Sequence, residues 1–171
     1  NIACASLDDI TLNDIKLINN TADKINLLYI QYYNNVILKD IELVNNIDTY
    51  SLCGETGDNA VLPGFIYLGS INGANGNNVS VSHNSGTCIA GFLNLNQVVR
   101  SYLNGIVIEH NAITSATNDL SSEAMLSYDN IEMNNHTLNN SVVRYNYIAS
   151  SIGFPYISGG IASSANLEIY N

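Results

Sequence analysis

Pairs of acidic residues are the side chains of this sequence that could carry out chemistry on a sugar chain. The acids that lie close together are Asp8 with Asp9, Glu55 with Asp58, and Asp119 with Glu123. Two carboxyl groups about 6.5–9.5 Å apart can hydrolyse a glycosidic bond with inversion, one as the acid and the other as the base. The segments that hold the last two pairs are therefore candidate ligand loops.

The first of these segments also contains oxygen ligands for a calcium ion. Its carboxylate and amide side chains are those of Asp48, Glu55, Asp58 and Asn59. Calcium-binding loops usually present their oxygens at a regular D-x-D-x-D-G spacing, which this segment lacks. We therefore favour a solvated loop and expect no cofactor, with Ca²⁺ as the alternative.

Two histidines, His83 and His110, occupy the same position of a repeated phrase, and we align Asp14, Asp40 and Tyr145 with them. Copies of a strand stack about 4.8 Å apart, so two imidazoles at one position could share a metal ion or a proton. Histidines on a polar turn are more often surface groups, and we favour that interpretation.

The three cysteines, Cys4, Cys53 and Cys88, do not have the spacing of a metal site. A disulfide between Cys53 and Cys88 is one option, because both flank irregular segments. Small buried hydrophobic residues are an equally good interpretation. An odd number of cysteines also leaves one thiol for a link between chains.

Three asparagines, Asn84, Asn111 and Asn146, occupy the next position of the same phrase. Asparagine tolerates a left-handed backbone, and its amide can hydrogen-bond to copies above and below it. We therefore predict a structural asparagine ladder at a turn rather than a ligand site.

The elements that position these residues are copies of one short strand phrase. The copies begin near Ile10, Val36, Val79, Ile106, Ser141 and Leu167, at spacings of 26, 43, 27, 35 and 26 residues. Apolar residues alternate in each copy, as expected for strands with one buried face. Strands that pair with their own copies form a solenoid. We predict one all-β domain over residues 1–171, with about five to six coils and loop insertions near 47–63 and 117–140.

A glycine with an apolar pair, followed by an Asn-rich strand, occurs at 64–68 with 77–84 and at 159–161 with 166–171. This pattern resembles the right-handed parallel β-helix repeats of the pectate-lyase-like superfamily, particularly NosD-type and related surface-protein repeats. The resemblance covers most of the chain and implies a single right-handed parallel β-helix. It implies little about activity, because that superfamily holds lyases, hydrolases, tailspikes, adhesins and assembly subunits.

The enzymes of that superfamily have signatures that this sequence largely lacks. Polygalacturonases carry NTD, DD, HG and RIK phrases, of which only Asp8-Asp9 matches one. Pectate lyases use a basic residue beside calcium ligands, and neither Arg100 nor Arg144 lies in an RxPxxR context. The sequence leaves catalysis open and favours a protein without it.

Charge and composition exclude several partners. The net charge is −10 with only 5 basic residues, so we expect neither nucleic acid nor an anionic membrane surface as a partner. No apolar run reaches the roughly 18 residues of a spanning helix, so we expect no membrane insertion. The polarity comes mainly from 28 asparagines and from Ser and Thr. A neutral, amide-rich β surface indicates an extracellular or cell-surface location.

The repeat reaches both ends of the sequence without a capping helix. End strands expose unpaired N–H and C=O groups, so we expect either an excerpt of a longer β-helix or ends that pair with another copy. The first hypothesis is a self-assembling structural subunit of a filament, surface layer or adhesin, whose partners are copies of itself. The alternative is a domain that binds or cleaves a polysaccharide.

Overall fold

A computed structural model describes residues 7–23, 27–49, 65–87, 92–113, 126–129, 136–148, 157–158 and 163–170. These residues form strands and bends and contain no helix, which confirms the all-β prediction for the part described. The strands are β1 (Leu7–Ile18), β2 (Thr21–Ala22), β3 (Leu28–Gln31), β4 (Tyr33–Val44), β5 (Ile47–Asp48), β6 (Ile66–Ser82), β7 (Ser85–Gly86), β8 (Leu93–Glu109), β9 (Ala112–Ile113), β10 (Leu126–Asp129), β11 (His136–Arg144), β12 (Tyr147–Ile148), β13 (Ile157–Ser158) and β14 (Ser163–Tyr170).

The described strands pair in parallel within two sheets. The larger sheet runs β1-β4-β6-β8-β10-β13, with β3 also on β6 and with β11 joining β8 to β14. The smaller sheet runs β12-β9-β7-β5-β2. We call each set of consecutive strands that repeats along the stack a rung: β1–β2, β3–β5, β6–β7, β8–β9, β10–β12 and β13–β14. This arrangement is compatible with a β-helix.

The pairing register corrects one of the spacings expected from the sequence. Paired residues of rungs 1 and 2 are 26 residues apart in the sequence. The offsets are 27 residues between rungs 3 and 4, 35 between β8 of rung 4 and β11 of rung 5, and 26 between β11 and β14 of rung 6. Between rungs 2 and 3, however, Val79 pairs with Ile41 and not with Val36. The expected spacing of 43 was wrong because β4 contains two alternating apolar pairs, one starting at Val36 and one at Ile41.

Parts of both expected insertions are strands. Ile47–Asp48 is β5, which pairs with β2 and β7. Leu126–Asp129 and the first half of β11 pair in register with β8, so the expected insertion over 117–140 was drawn too wide. The start of β11 resembled a polar loop in the sequence because it contains the polar residue His136, which the structure buries. The rest of the two insertions lies outside the described residues.

The long strands bend at residues with a left-handed backbone. These residues align from rung to rung in three columns: Tyr32, Ser70 and Gln97 at the first bend; Asp14, Asp40, Asn78, Gly105 and Asn140 at the second; Asn19, Asn45, His83, His110 and Tyr145 at the third. Their φ angles lie between 47° and 67°. Asn, Asp and His are the non-glycine residues enriched in this conformation. The second and third bends are therefore rich in these types.

This register separates residues that the sequence alignment had equated. Asp14 and Asp40 lie at the second bend, whereas His83 and His110 lie at the third, five residues further along each strand. The sequence alignment of Asp14 and Asp40 with the two histidines was therefore wrong. Its cause was the same as for the spacing of 43, because Val79 pairs with Ile41 and not with Val36. Tyr145, by contrast, does align with both histidines.

Inward-facing apolar side chains stack in columns to form the core. In one column Leu43, Val81, Ile108 and Val143 lie on successive rungs and are fully buried. The core also includes Ile113 of the smaller sheet. The rings of Phe65 and Phe92 stack inside it with their centroids 5.0 Å apart. Because each side chain packs against its equivalents above and below, the core is continuous along the stack.

A pair of substitutions at His110 tests whether the backbone is left-handed at the third bend. We expect His110→Val to destabilise the chain by about 1–2 kcal/mol more than His110→Asn, because a β-branched residue does not tolerate the left-handed backbone and asparagine does. Both variants lose the imidazole, so their difference isolates the backbone. Urea denaturation followed by circular dichroism measures it, and equal stabilities would contradict the bend at this residue.

Candidate functional site

A column of asparagines lies immediately after the third bend. Its members, one on each of rungs 1 to 5, are Asn20, Asn46, Asn84, Asn111 and Asn146. The last four are at most 2% exposed. Amide side chains buried to this extent need hydrogen-bond partners for both the oxygen and the nitrogen.

The hydrogen bonds of Asn111 show how the column meets this need. Its Oδ1 accepts from the backbone N of Asn84 at 2.9 Å and from Asn84 Nδ2 at 3.0 Å. Its Nδ2 donates to Asn146 Oδ1 at 3.0 Å and to the carbonyl oxygen of Val81 at 2.8 Å. The same four bonds recur at Asn46 and Asn84. The amide of each residue thus ties its own rung to the rungs on both sides.

The structure places Asn84, Asn111 and Asn146 in one bonded column, and it adds two members that sequence reasoning missed. Asn20 and Asn46 could have been found from the 26-residue offset between rungs 1 and 2, which relates them directly. The expected reason for the asparagines was wrong in one respect. The left-handed residue is the one before each asparagine, for example His83 before Asn84, and not the asparagine itself.

A second column consists of exposed aromatic side chains at the third bend. The ring centroids of His83 and His110 are 4.9 Å apart with planes inclined by 19°, and those of His110 and Tyr145 are 5.1 Å apart. Rings stacked face to face direct their in-plane nitrogen lone pairs along nearly parallel lines. Such lone pairs do not converge on one ion at the roughly 2.0–2.1 Å of a zinc–nitrogen bond. This geometry favours stacking over metal binding.

Charged side chains flank this column. Arg144 Nε lies 2.7 Å from Glu109 Oε2, between adjacent rungs, and its guanidinium carbon lies 5.5 Å from the centre of the Tyr145 ring. Glu109 is therefore held by an ion pair next to His110. The pair joins two rungs in the same way as the buried amides do.

Stacking also involves two of the tyrosines that could present a sugar-binding surface. Tyr29 and Tyr67 are stacked with centroids 4.8 Å apart and planes inclined by 15°. Sugars pack against the open faces of aromatic rings, and a ring stacked between rungs turns its edge towards solvent instead. Tyr32, Tyr102 and Tyr147 are further exposed tyrosines among the described residues.

The second bend forms a shallow surface depression with charged walls. Its walls are Asp14, Lys16, Asp40, Ile41, Glu42, Asn78 and Ser80. Lys16 Nζ lies 2.6 Å from Glu42 Oε2, and Asn78 Nδ2 donates to Asp40 Oδ1 at 3.0 Å. The hydrogen bond and the charge of Glu42 raise the pKa of Lys16. The polar groups of the depression are thus bound largely to one another.

A buried serine–histidine pair was not anticipated. Ser101 Oγ and His136 Nδ1 lie 2.9 Å apart on adjacent rungs, and His136 is fully buried. Burial lowers the pKa of His136 below its ordinary value of 6.5. A nucleophile and a base at this distance can cooperate in acyl transfer, but here both side chains are enclosed by the core. The sequence could have indicated this pair only through the register of β11, which places His136 beside Ser101 on the inward face. That register was not recognised from the sequence.

Most of the loop candidates lie outside the described residues: Glu55, Asp58, Asn59, Asp119, Glu123, Cys53 and Cys88. Asp48, the remaining residue of the alternative calcium interpretation, is buried on β5. Within the described ranges, no three His, Cys, Asp or Glu side chains converge in a way that could hold a metal ion. The same ranges contain no helix long and apolar enough to cross a membrane.

Comparisons with protein families, with characterised proteins and with solved structures found no match to this chain. The interpretation of its function therefore depends on the geometry described above.

Removal of one side-chain amide from the asparagine column should lower the stability of the chain strongly. We expect Asn111→Ala to destabilise the chain by about 3 kcal/mol or more, because it removes four hydrogen bonds: two accepted from Asn84, one donated to Asn146 and one donated to the carbonyl of Val81. The matched control is Asn77→Ala, an exposed asparagine that accepts one bond from Asn104, and it should lose less than about 1 kcal/mol. Urea denaturation of both variants measures the difference. Similar losses would refute a special role for the column.

His136 predicts a pH dependence of stability. Because its pKa is lower in the folded chain than in the unfolded chain, the unfolded chain takes up the proton first as the pH falls. The contribution to the free energy of unfolding is fully present above pH 6.5 and is lost as the pH falls from there towards the folded pKa. Replacing His136 with Gln should flatten the profile just below pH 6.5, whereas the control Asn77→Ala, which removes no titratable group, should leave the profile unchanged. Urea denaturation at pH values on both sides of 6.5 tests this.

Proposed function

We propose that this chain is a right-handed parallel β-helix that serves as a self-assembling structural protein at the cell surface or outside the cell, without catalytic activity. Its partners in this proposal are further copies of the same chain. The subunit would build a filament, a surface layer or an adhesin-type stalk.

The observation that carries this proposal is that polar side chains bond from rung to rung. The asparagine column does so inside the stack. On the surface, the side chains that bridge adjacent rungs are Asp9 with Asn35, Asp40 with Asn78, Asn77 with Asn104, Asn104 with Asn140, Ser70 with Gln97, Lys16 with Glu42, and Glu109 with Arg144. Side chains bound in this way hold a stack together and are not directed at a substrate.

The bends supply a second argument. The residue types that suggested chemistry, such as Asp14, Asp40, His83 and His110, are those found at left-handed positions. Asp and His tolerate this conformation better than most other side chains. Their presence is explained by the path of the backbone, and no reaction needs to be invoked for them.

Self-association is supported by β1 and β14, two of the described strands that have a single partner strand in the larger sheet. Among the described strands, β1 pairs only with β4, and β14 pairs only with β11. An open strand edge presents a row of N–H and C=O groups that can pair with another chain. When the partner surfaces on one subunit differ, repeated association produces an open filament.

Negative-stain electron microscopy with size-exclusion chromatography of the pure chain tests the proposal. We expect fibrous or ring-like polymers that appear above a threshold concentration, and no release of reducing sugars from acidic or neutral polysaccharides. A monomer at every concentration would overturn self-assembly. A monomer that releases reducing sugars would favour the alternative, a polysaccharide-cleaving domain with its site on the loops near Glu55 and Asp119.

A further inference from the structure

One outward-facing column changes from basic to acidic between the first and the last rung. Its register runs Lys16, Glu42, Ser80, Val107, Val142 and Glu168. Lys16 already pairs with Glu42 on its inner side, and Lys16 and Glu168 are both exposed. The first and last positions of this column among the described rungs therefore carry opposite charges.

The neighbouring inward-facing column is apolar and open at the same two rungs. Its four middle members are 0% exposed, whereas Ile169 of β14 is 47% exposed and Leu17 of β1 is only partly buried. Ile10, Leu12 and Ile15 on β1 are likewise only partly buried. An added rung on either strand would remove this apolar area from water, which is a favourable change.

We propose that β14 of one copy pairs in parallel with β1 of the next copy, in the register that continues the existing columns. This inference rests on the self-assembly proposed above and specifies its junction. Continuing the register aligns Ser163–Tyr170 with residues 11–18 of the next copy. It places Ile169 against Leu17 in the core and Glu168 beside Lys16 on the surface.

The charges favour this junction over the two symmetric ones. In the head-to-tail arrangement Lys16 of one copy lies between its own Glu42 and Glu168 of its neighbour. Two β1 edges, or two β14 edges, would be related by a twofold axis and would pair antiparallel, so the Lys16–Glu168 pair would not form and the existing columns would not continue across the junction. Opposite charges on neighbouring strands stabilise a pair, and like charges destabilise it. A second copy offers β14 and its glutamate in the right register, so it is the occupant to which we commit.

Reciprocal charge reversal tests the junction. Glu168→Lys gives a copy with lysine at both ends of the column, and Lys16→Glu gives a copy with glutamate at both ends. Each variant alone should assemble only at a concentration roughly tenfold higher than the unaltered chain, because a favourable pair becomes a repulsive one. An equimolar mixture should regain assembly, since each junction then joins a lysine to a glutamate. Sedimentation velocity over a concentration series measures all three samples.

Two controls separate folding from association. Far-ultraviolet circular dichroism and urea denaturation establish that each variant is folded. Ser80→Lys adds a positive charge to an inner position of the same column and should leave the threshold concentration unchanged.

The outcomes distinguish this junction from self-assembly in general. Assembly of the unaltered chain and of both variants at the same threshold would overturn the junction and leave the proposed function standing. Failure of the mixture to recover, with both variants folded, would also overturn the junction. If the unaltered chain stays monomeric, as it would if a segment of the same polypeptide covered β1 and β14, the proposed function falls together with the junction.

Discussion

The structure depends on one constraint, which is that the buried amides of the asparagine column find their partners in the neighbouring rungs. A rung contains too few residues to enclose its own asparagine, and an unpaired buried donor or acceptor is unfavourable by about 1–3 kcal/mol. Asn84 is satisfied only because Asn46 lies on one side of it and Asn111 on the other. The apolar columns obey the same rule, since Val81 is buried by its equivalents on adjacent rungs. Stability is therefore shared between neighbours and is not a property of any single rung.

The same constraint explains a composition that is rich in asparagine and poor in charge. Asparagine can both donate and accept, so one residue type repeated at one position can bond to itself along the whole stack. A charged residue repeated in this way would repel its own copies. Two outward columns place opposite charges on adjacent rungs, Lys16 with Glu42 and Glu109 with Arg144. The exception is the second bend, where Asp14 and Asp40 are aligned and Asp40 accepts a hydrogen bond from Asn78. The asparagine-rich bends and ladder thus serve the packing of identical positions.

The sequence was a good guide to strands and a poor guide to register. Alternation of apolar residues identified the strands around Ile10, Ile106 and Leu167, because side chains on a strand point alternately to the two faces. It could not tell Val36 from Ile41, since both begin an alternating pair on the same strand and only the bend at Asp40 separates them. That ambiguity hid Asn46 from the ladder and misaligned Asp40 with the histidines. His136 was missed because a buried polar residue breaks the very pattern on which recognition depends.

The hydrogen bonds between the side-chain amides of the asparagine column all run in the same direction along the stack. Each Nδ2 donates to the oxygen of the asparagine on the later rung, from Asn20 to Asn46 and on to Asn146. Aligned dipoles of this kind polarise one another, and they make the two ends of the column chemically unlike. The early end presents an acceptor, the Oδ1 of Asn20, while the amides beyond it present donors towards later rungs. Any fibre that prolonged this column would have a plus end and a minus end, and subunits would add to them at different rates.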